Sequence, residues 1–267
     1  MRYIGIDLAW GARNTTAVFA LASAGDAPTA GAAYLAHADA LTDNAAITDF
    51  VAACDDGGGL LIAVDAPTLV PNETGRRPCE DILSRCLRRV EAGPHPANRR
   101  LLGDADAQVR GETLVALLAA RLGVSHTPYF AATEPRAVFE AFPHPAHVAL
   151  FGLEKTLKYK AKPGRTKESR HGEFRRYAAF LEALRTADPP LLLAPAWECT
   201  DPAAFATEAL LKRYEDTLDA LTCAYVALHR HRWGDERSAV VGDLVRGYVV
   251  TPATEEMRDC FALAPPI

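Results

Sequence analysis

Apolar and β-branched side chains fill residues 2–8 and 15–23, and the turn-forming run Gly11-Ala12-Arg13-Asn14 separates them. This pattern predicts a β-hairpin, with 30–37 as a third strand of an antiparallel meander. Thr42-Asp43-Asn44 can cap a helix running through Ile47, Phe50 and Val51 to the glycines at 57–59. Leu60-Leu61-Ile62-Ala63-Val64 is apolar at every position, which suits a strand covered on both faces in the middle of a parallel sheet. Across 67–135, helical patterns at 78–91 and 107–122 are punctuated by Pro71-Asn72 and Gly93-Pro94, predicting a helical insertion over the sheet edge. Residues 137–142 read as a further strand, stopped by Pro143. Helices are expected over 168–186, from Asp201-Pro202 onward, and over 214–232; a hairpin around 239–241 and 247–251 closes the chain. These elements predict one α/β domain over 1–267, with an antiparallel meander followed by parallel strands and helices flanking the sheet.

Composition narrows the class of protein. The apolar runs at 60–64 and 114–122 are far too short to span a bilayer, and no signal-type segment precedes the first strand. The chain therefore reads as soluble and cytoplasmic. Cys54, Cys79, Cys86, Cys199, Cys223 and Cys260 are scattered without C-x-x-C spacing, an argument against both a zinc site and a disulfide framework and in favour of buried or idle thiols. The formal charge of -5 does not suggest a polyanion binder. Its distribution does: Lys155, Lys158, Lys160, Lys162, Arg165, Lys167, Arg170, Arg175 and Arg176 face only Glu168 and Glu173 within their segment, and a second, arginine-only run includes Arg76, Arg77, Arg99 and Arg100. Such patches either receive a polyanion or form solvated surfaces.

Five acids fit a structural role poorly. Asp7 interrupts an apolar strand, where a charge is costly unless paired or bound to metal; the alternative is a cap for the turn toward Gly11. Asp65 ends the buried strand 60–64, the end at which open α/β sheets place ligands, although Asp-Ala-Pro also forms turns. Asp216 and Asp219, three residues apart, share one helical face. The uncharged stretch Ala220 to Leu228 implies that Asp219 is buried against the sheet, whereas the helix dipole alone can account for an acid such as Asp216 near a helix start. Glu140 joins the cluster or faces solvent according to the strand's two-residue period. Acids gathered this closely repel one another and call for divalent cations, and oxygen-only donors favour Mg²⁺ or Mn²⁺ over zinc. Two such ions roughly 3.5–4 Å apart can activate water and stabilise both oxygens of an in-line phosphodiester displacement.

Gly5-Ile6-Asp7, Val64-Asp65-Ala66-Pro67 and Asp216-x-x-Asp219-Ala220-Leu221 resemble the ribonuclease H-like nucleases, and the helix motif is similar to that of the Holliday-junction resolvases. Asn72 to Glu80, Gly93 to Arg99, Phe142 to Ala146, Leu157 to Lys160 and Arg232 to Gly234 further resemble the bacterial family called domain of unknown function 429, a predicted nuclease family. The resemblance implies a ribonuclease H-like fold, with Asp7, Asp65, Asp216 and Asp219 as metal ligands for Mg²⁺ or Mn²⁺ and Glu140 in support. It implies a nucleic-acid substrate, DNA or RNA, with Arg76, Arg77, His95, Arg99, His144, Lys158 and Lys160 placed to meet phosphate. Resolvases carry Glu where this chain has Asp65, a side chain one methylene shorter. Resolvase-type action on a symmetric substrate would favour a homodimer.

Two rival readings remain open at this level. Gly-x-Asp also begins the first strand of actin-like phosphotransferases, but the chain is short for two such lobes and lacks a second Gly-rich phosphate hairpin. A catalytically inactive ribonuclease H-like module could use the basic segments to bind nucleic acid.

Overall fold

The computed structural model describes residues 1–11, 14–193 and 200–263. Strands β1 (Arg2–Asp7), β2 (Thr16–Ser23) and β3 (Ala32–Leu41) form the antiparallel meander, followed by helix α1 (Asn44–Cys54) and strand β4 (Leu60–Val64). Asp43 caps α1 by accepting from the Ala46 amide at 2.8 Å, satisfying a donor that the first helical turn leaves unbonded. The middle of the chain supplies α2 (Pro78–Cys86), α3 (Arg99–Leu102), α4 (Arg110–Leu122), β5 (Ser125–His126), β6 (Arg136–Glu140) and α5 (Pro143–Phe151). Then come α6 (Lys167–Ala183), β7 (Leu191–Leu192), α7 (Glu208–Trp233), β8 (Ser238–Asp243), β9 (Gly247–Pro252) and α8 (Glu255–Leu263).

Seven strands make one mixed sheet in the order β5-β6-β4-β1-β2-β3-β7, and β8 and β9 pair separately. The β1/β2 and β2/β3 pairs are antiparallel, whereas β4, β6 and β5 continue parallel to β1. This arrangement is consistent with a ribonuclease H-like fold. The fully apolar β4 is explained by its two faces: Leu61 and Ala63 join the core beneath α7, while Leu60, Ile62 and Val64 join the core beneath α1 and α4. Both faces of a central strand lose water, so the alternation of polar and apolar residues disappears.

Helix α7 lies across β1, β2 and β4, and Gly5 permits the approach. A Cβ at Gly5 would stand 1.9 Å from the Ala220 carbonyl oxygen and 2.2 Å from the Ala224 amide nitrogen. Only a residue without a side chain lets the helix backbone seat here. The consequence is functional, because this contact brings the Asp216 and Asp219 turns of α7 to the end of the strand that carries Asp7.

Several expectations are corrected. Pro143 does not merely stop a strand; it opens α5, where its missing N–H costs nothing at a first helical turn. Within 67–135, α4 packs on α1 and on β5 and β6 at one edge of the sheet, whereas α2 packs on β8, β9 and α8. The last long helix begins at Glu208, so Asp216 sits two turns inside it, where a helix-dipole explanation no longer applies. The expectation of unpaired thiols fails as well: Cys86 on α2 and Cys260 on α8 form a disulfide across 174 residues of sequence. No local spacing announces such a bridge; the fold brings the two helices together. Cys54, Cys79 and Cys223 are buried and free, and Cys199 lies outside the described residues. Among the described residues no helix is long and apolar enough to cross a membrane.

Candidate functional site

Parallel register assembles the site. Ile6 pairs beside Val64, and Val64 beside Glu140, so the carboxyl ends of β1, β4 and β6 stand level. The Asp65 amide donates to the Ile6 carbonyl at 2.7 Å, fixing Asp65 next to Asp7. Both acids, with Asp216 from α7, line a cleft of about 550 Å³ at the end of the sheet where α/β folds hold ligands.

The electrostatics of these acids show charge without enough compensation. Burial raises the Asp7 carboxyl well above its ordinary range, and the neighbouring Asp216 and Asp65 raise it further. Burial likewise pushes Asp65 up to about 7, against a lowering pull from Lys160. Asp216 is raised by burial although Lys212 draws it back, and it lies within hydrogen-bonding reach of Asp7. Lys212 pairs with Asp216 one helical turn away and with the buried Glu215 at 2.8 Å.

Asp219 is different. It has no exposed surface, and its Oδ1 accepts from the Tyr159 hydroxyl at 2.6 Å and the Tyr177 hydroxyl at 3.1 Å. Its Oδ2 lies 2.8 Å from the Lys160 ammonium. Burial is the largest influence and would raise its pKa, but Lys160, His147 and His144 together more than offset it and hold the carboxyl below the ordinary value.

The remaining expected residues divide. Glu140 is held by Arg77 through two contacts, at 2.6 and 2.8 Å, and accepts from the Thr68 amide at 2.9 Å. Arg77 also bonds Glu80 at 2.8 Å and is 2% exposed. These two residues neutralise each other at the cleft wall, and Arg77 has no guanidinium edge left for phosphate. Arg76 donates to the Ser84 hydroxyl and the Pro94 carbonyl, and Arg99 grips Glu112 at 3.0 and 3.2 Å; neither lines the cleft. His95, His144, Lys158 and Lys160 do line it. His144 sits 2.9 Å from the Thr156 hydroxyl, with its pKa lowered first by burial and then by Lys160, so it is a neutral ring at pH 7. Lys158 is paired with Glu91.

Sequence reasoning missed Lys212, whose spacing four residues before Asp216 was a readable signal; Lys162 and Arg165, named there only within the basic segment, line the cleft as well. It missed Tyr159 and Tyr177 altogether. Their hydroxyls meet Asp219 from 60 and 42 residues away in sequence, which no local pattern encodes.

Among the described residues, no three His, Cys, Asp or Glu side chains already stand in an arrangement that would hold a metal ion. The donor set nonetheless fits a hard divalent cation. Asp7, Asp65 and Asp216 offer only oxygen, their raised pKa values mark a deficit of positive charge, and Lys212 is 57% exposed, so it can leave Asp216 without desolvating anything.

Fold and site thus define a mixed α/β protein with an acidic centre at the carboxyl edge of its sheet, enclosed by basic loops. The chain belongs to the family described as Protein of unknown function (DUF429), whose model matches residues 5–244. No curated protein and no solved structure matches it.

Proposed function

We propose that this chain hydrolyses phosphodiester bonds of nucleic acid with the help of Mg²⁺ or Mn²⁺. The observation that carries the reading is the meeting of Asp7, Asp65 and Asp216 on the floor of a cleft whose walls bear Lys158, Lys160, Lys162, Arg165 and His95. Acids alone would repel a polyanion, and cations alone would only bind one; the juxtaposition serves cleavage.

In this reading Asp7, Asp65 and Asp216 would hold the ion, which when bound would supply an activated water at neutral pH and offset charge on the phosphate. The chain's own residues do the rest. The lysines and Arg165 hold the phosphate backbone over the acids, since such contacts fix register without reading sequence. Asp7 and Asp216, sharing a site, must both be ionised before a cation is held, which couples binding to proton release.

The test is cleavage of single- and double-stranded DNA and RNA with Mn²⁺ and with EDTA. Expected is metal-dependent cleavage that is lost in Asp7→Asn and in Asp216→Asn; products formed equally in EDTA, or undiminished in both variants, would refute it. The ammonium groups on Asp216 and Asp219 favour a second reading, a nucleic-acid-binding module without turnover. Tight oligonucleotide binding with no cleavage under any metal would support that alternative.

A further inference from the structure

Asp216 and Asp219 are equivalent in the sequence motif but not in the fold. Asp216 faces the cleft, and its cationic partner, Lys212, has a side chain more than half exposed to solvent. Around Asp219 the approaches are taken: Tyr159 on one oxygen, Lys160 on the other, and Tyr177 alongside. Tyr177 has one proton to share among Asp219, the Leu218 carbonyl at 3.0 Å and the Thr222 hydroxyl at 2.5 Å. Tyr159 is therefore the firmer donor, and its ring is wedged against His144, Phe174 and Tyr177. These contacts form a rigid socket for one carboxylate.

That socket points its charge at Lys160. The ammonium sits 2.8 Å from Asp219, the side chain keeps 26% of its surface exposed, and the residue lines the same cleft as Asp7 and Asp65. We infer that Asp219 is a positioning residue rather than a metal ligand. It fixes Lys160 as the cation that meets the scissile phosphate, so that the centre takes one divalent ion, at Asp7, Asp65 and Asp216. This inference rests on the phosphodiester reading above and specifies where the second positive charge comes from.

Charge at the site agrees with the assignment. Burial, the largest influence, would push the Lys160 ammonium down, but Asp219, Asp65 and Asp7 together more than offset it and keep the lysine charged. A lysine held this way neutralises a phosphate oxygen as a point charge, and it repels a second divalent ion from the same corner.

The experiment counts Mn²⁺ bound to the intact, metal-stripped chain by titration calorimetry and electron paramagnetic resonance, with no substrate present. Wild type is expected to bind one ion. Asp219→Asn should keep that ion within about tenfold of wild-type affinity, the lower bound for loss of an outer-shell partner, while Asp7→Asn loses it. Lys160→Met should bind Mn²⁺ more tightly, by about tenfold or more, because a like charge has gone; a lysine of merely structural value would loosen binding when removed. In an Asp7→Asn background, Lys160→Met should weaken binding of a labelled oligonucleotide and Lys160→Arg should restore it. Two ions on the wild-type chain would overturn this inference and leave the phosphodiester reading standing. Loss of Mn²⁺ in Asp219→Asn equal to that in Asp7→Asn would do the same, provided the variant keeps the wild-type circular dichroism. No Mn²⁺ bound to wild type would overturn both. The wild-type count needs no variant to fold.

Discussion

Replacing Asp65 by Asn should make the metal-free protein more stable at alkaline pH while disabling its centre. Asp65 stands where burial pushes its carboxyl from the ordinary 3.8 up to about 7. A group whose folded pKa lies above its unfolded one is held best when protonated. The stability tied to it is complete below about pH 4 and is given up as pH climbs through about 7. The difference between those values corresponds to about 4 kcal/mol at pH 8. Because the carboxylate opens on a solvated cleft, roughly half of that is the realistic effect, about 2 kcal/mol. Asn keeps the shape and removes the ionisation, so at pH 8 in EDTA the variant should melt roughly 4–8 °C above wild type. At pH 4.5 the difference should nearly vanish. Saturating Mn²⁺ should reverse the order, since wild type alone gains about 2.7 kcal/mol when the ion is at a hundred times its dissociation constant. Differential scanning fluorimetry across pH, with and without Mn²⁺, reads all three. A variant less stable than wild type at pH 8 in EDTA, or a difference independent of pH, would refute the view of Asp65 as an uncompensated acid awaiting a cation.

Two further outcomes follow from the packing. Arg77→Leu should cost about 3–5 kcal/mol in urea unfolding, because it leaves Glu140 and Glu80 buried without their cation; a cost below about 1 kcal/mol would mean that the pair is dispensable. Reducing the Cys86–Cys260 bridge, or Cys86→Ser, should lower stability by about 2–4 kcal/mol. It should also raise hydrogen exchange first in 255–263, the helix that the bridge ties to α2; unchanged exchange there would show that packing of Met257 and Phe261 holds α8 by itself.

How much of this was readable in the sequence depends on how far apart the interacting residues lie. The hairpin of β1 and β2, the cap of α1 and the apolar β4 were legible because each is determined by neighbours within a few residues. The two-residue strands β5 and β7 are too short to show a period. Helix α5 was hidden because a proline after a strand reads as a stop, although proline suits a first helical turn equally well. Asp7 and Asp65 stood out as candidates for a physical reason: a charge at the end of an apolar strand needs a partner wherever that strand goes, and both line the cleft.

What the sequence withheld is which charges cancel. Glu140 and Arg77, 63 residues apart, each looked like a site residue, one for metal and one for phosphate; in the fold they satisfy each other. Asp219 read as a metal ligand alongside Asp216, and in the fold Tyr159 and Lys160 close around it. A list of charged residues therefore overstates a site, because every internal ion pair removes one acid and one cation from those able to meet a ligand. Subtracting the pairs that are buried and multiply bonded leaves Asp7, Asp65 and Asp216 facing the cleft, with Lys160 held beside them by an acid that is itself enclosed. That remainder, rather than the total charge of -5, is what the cleft presents to a ligand.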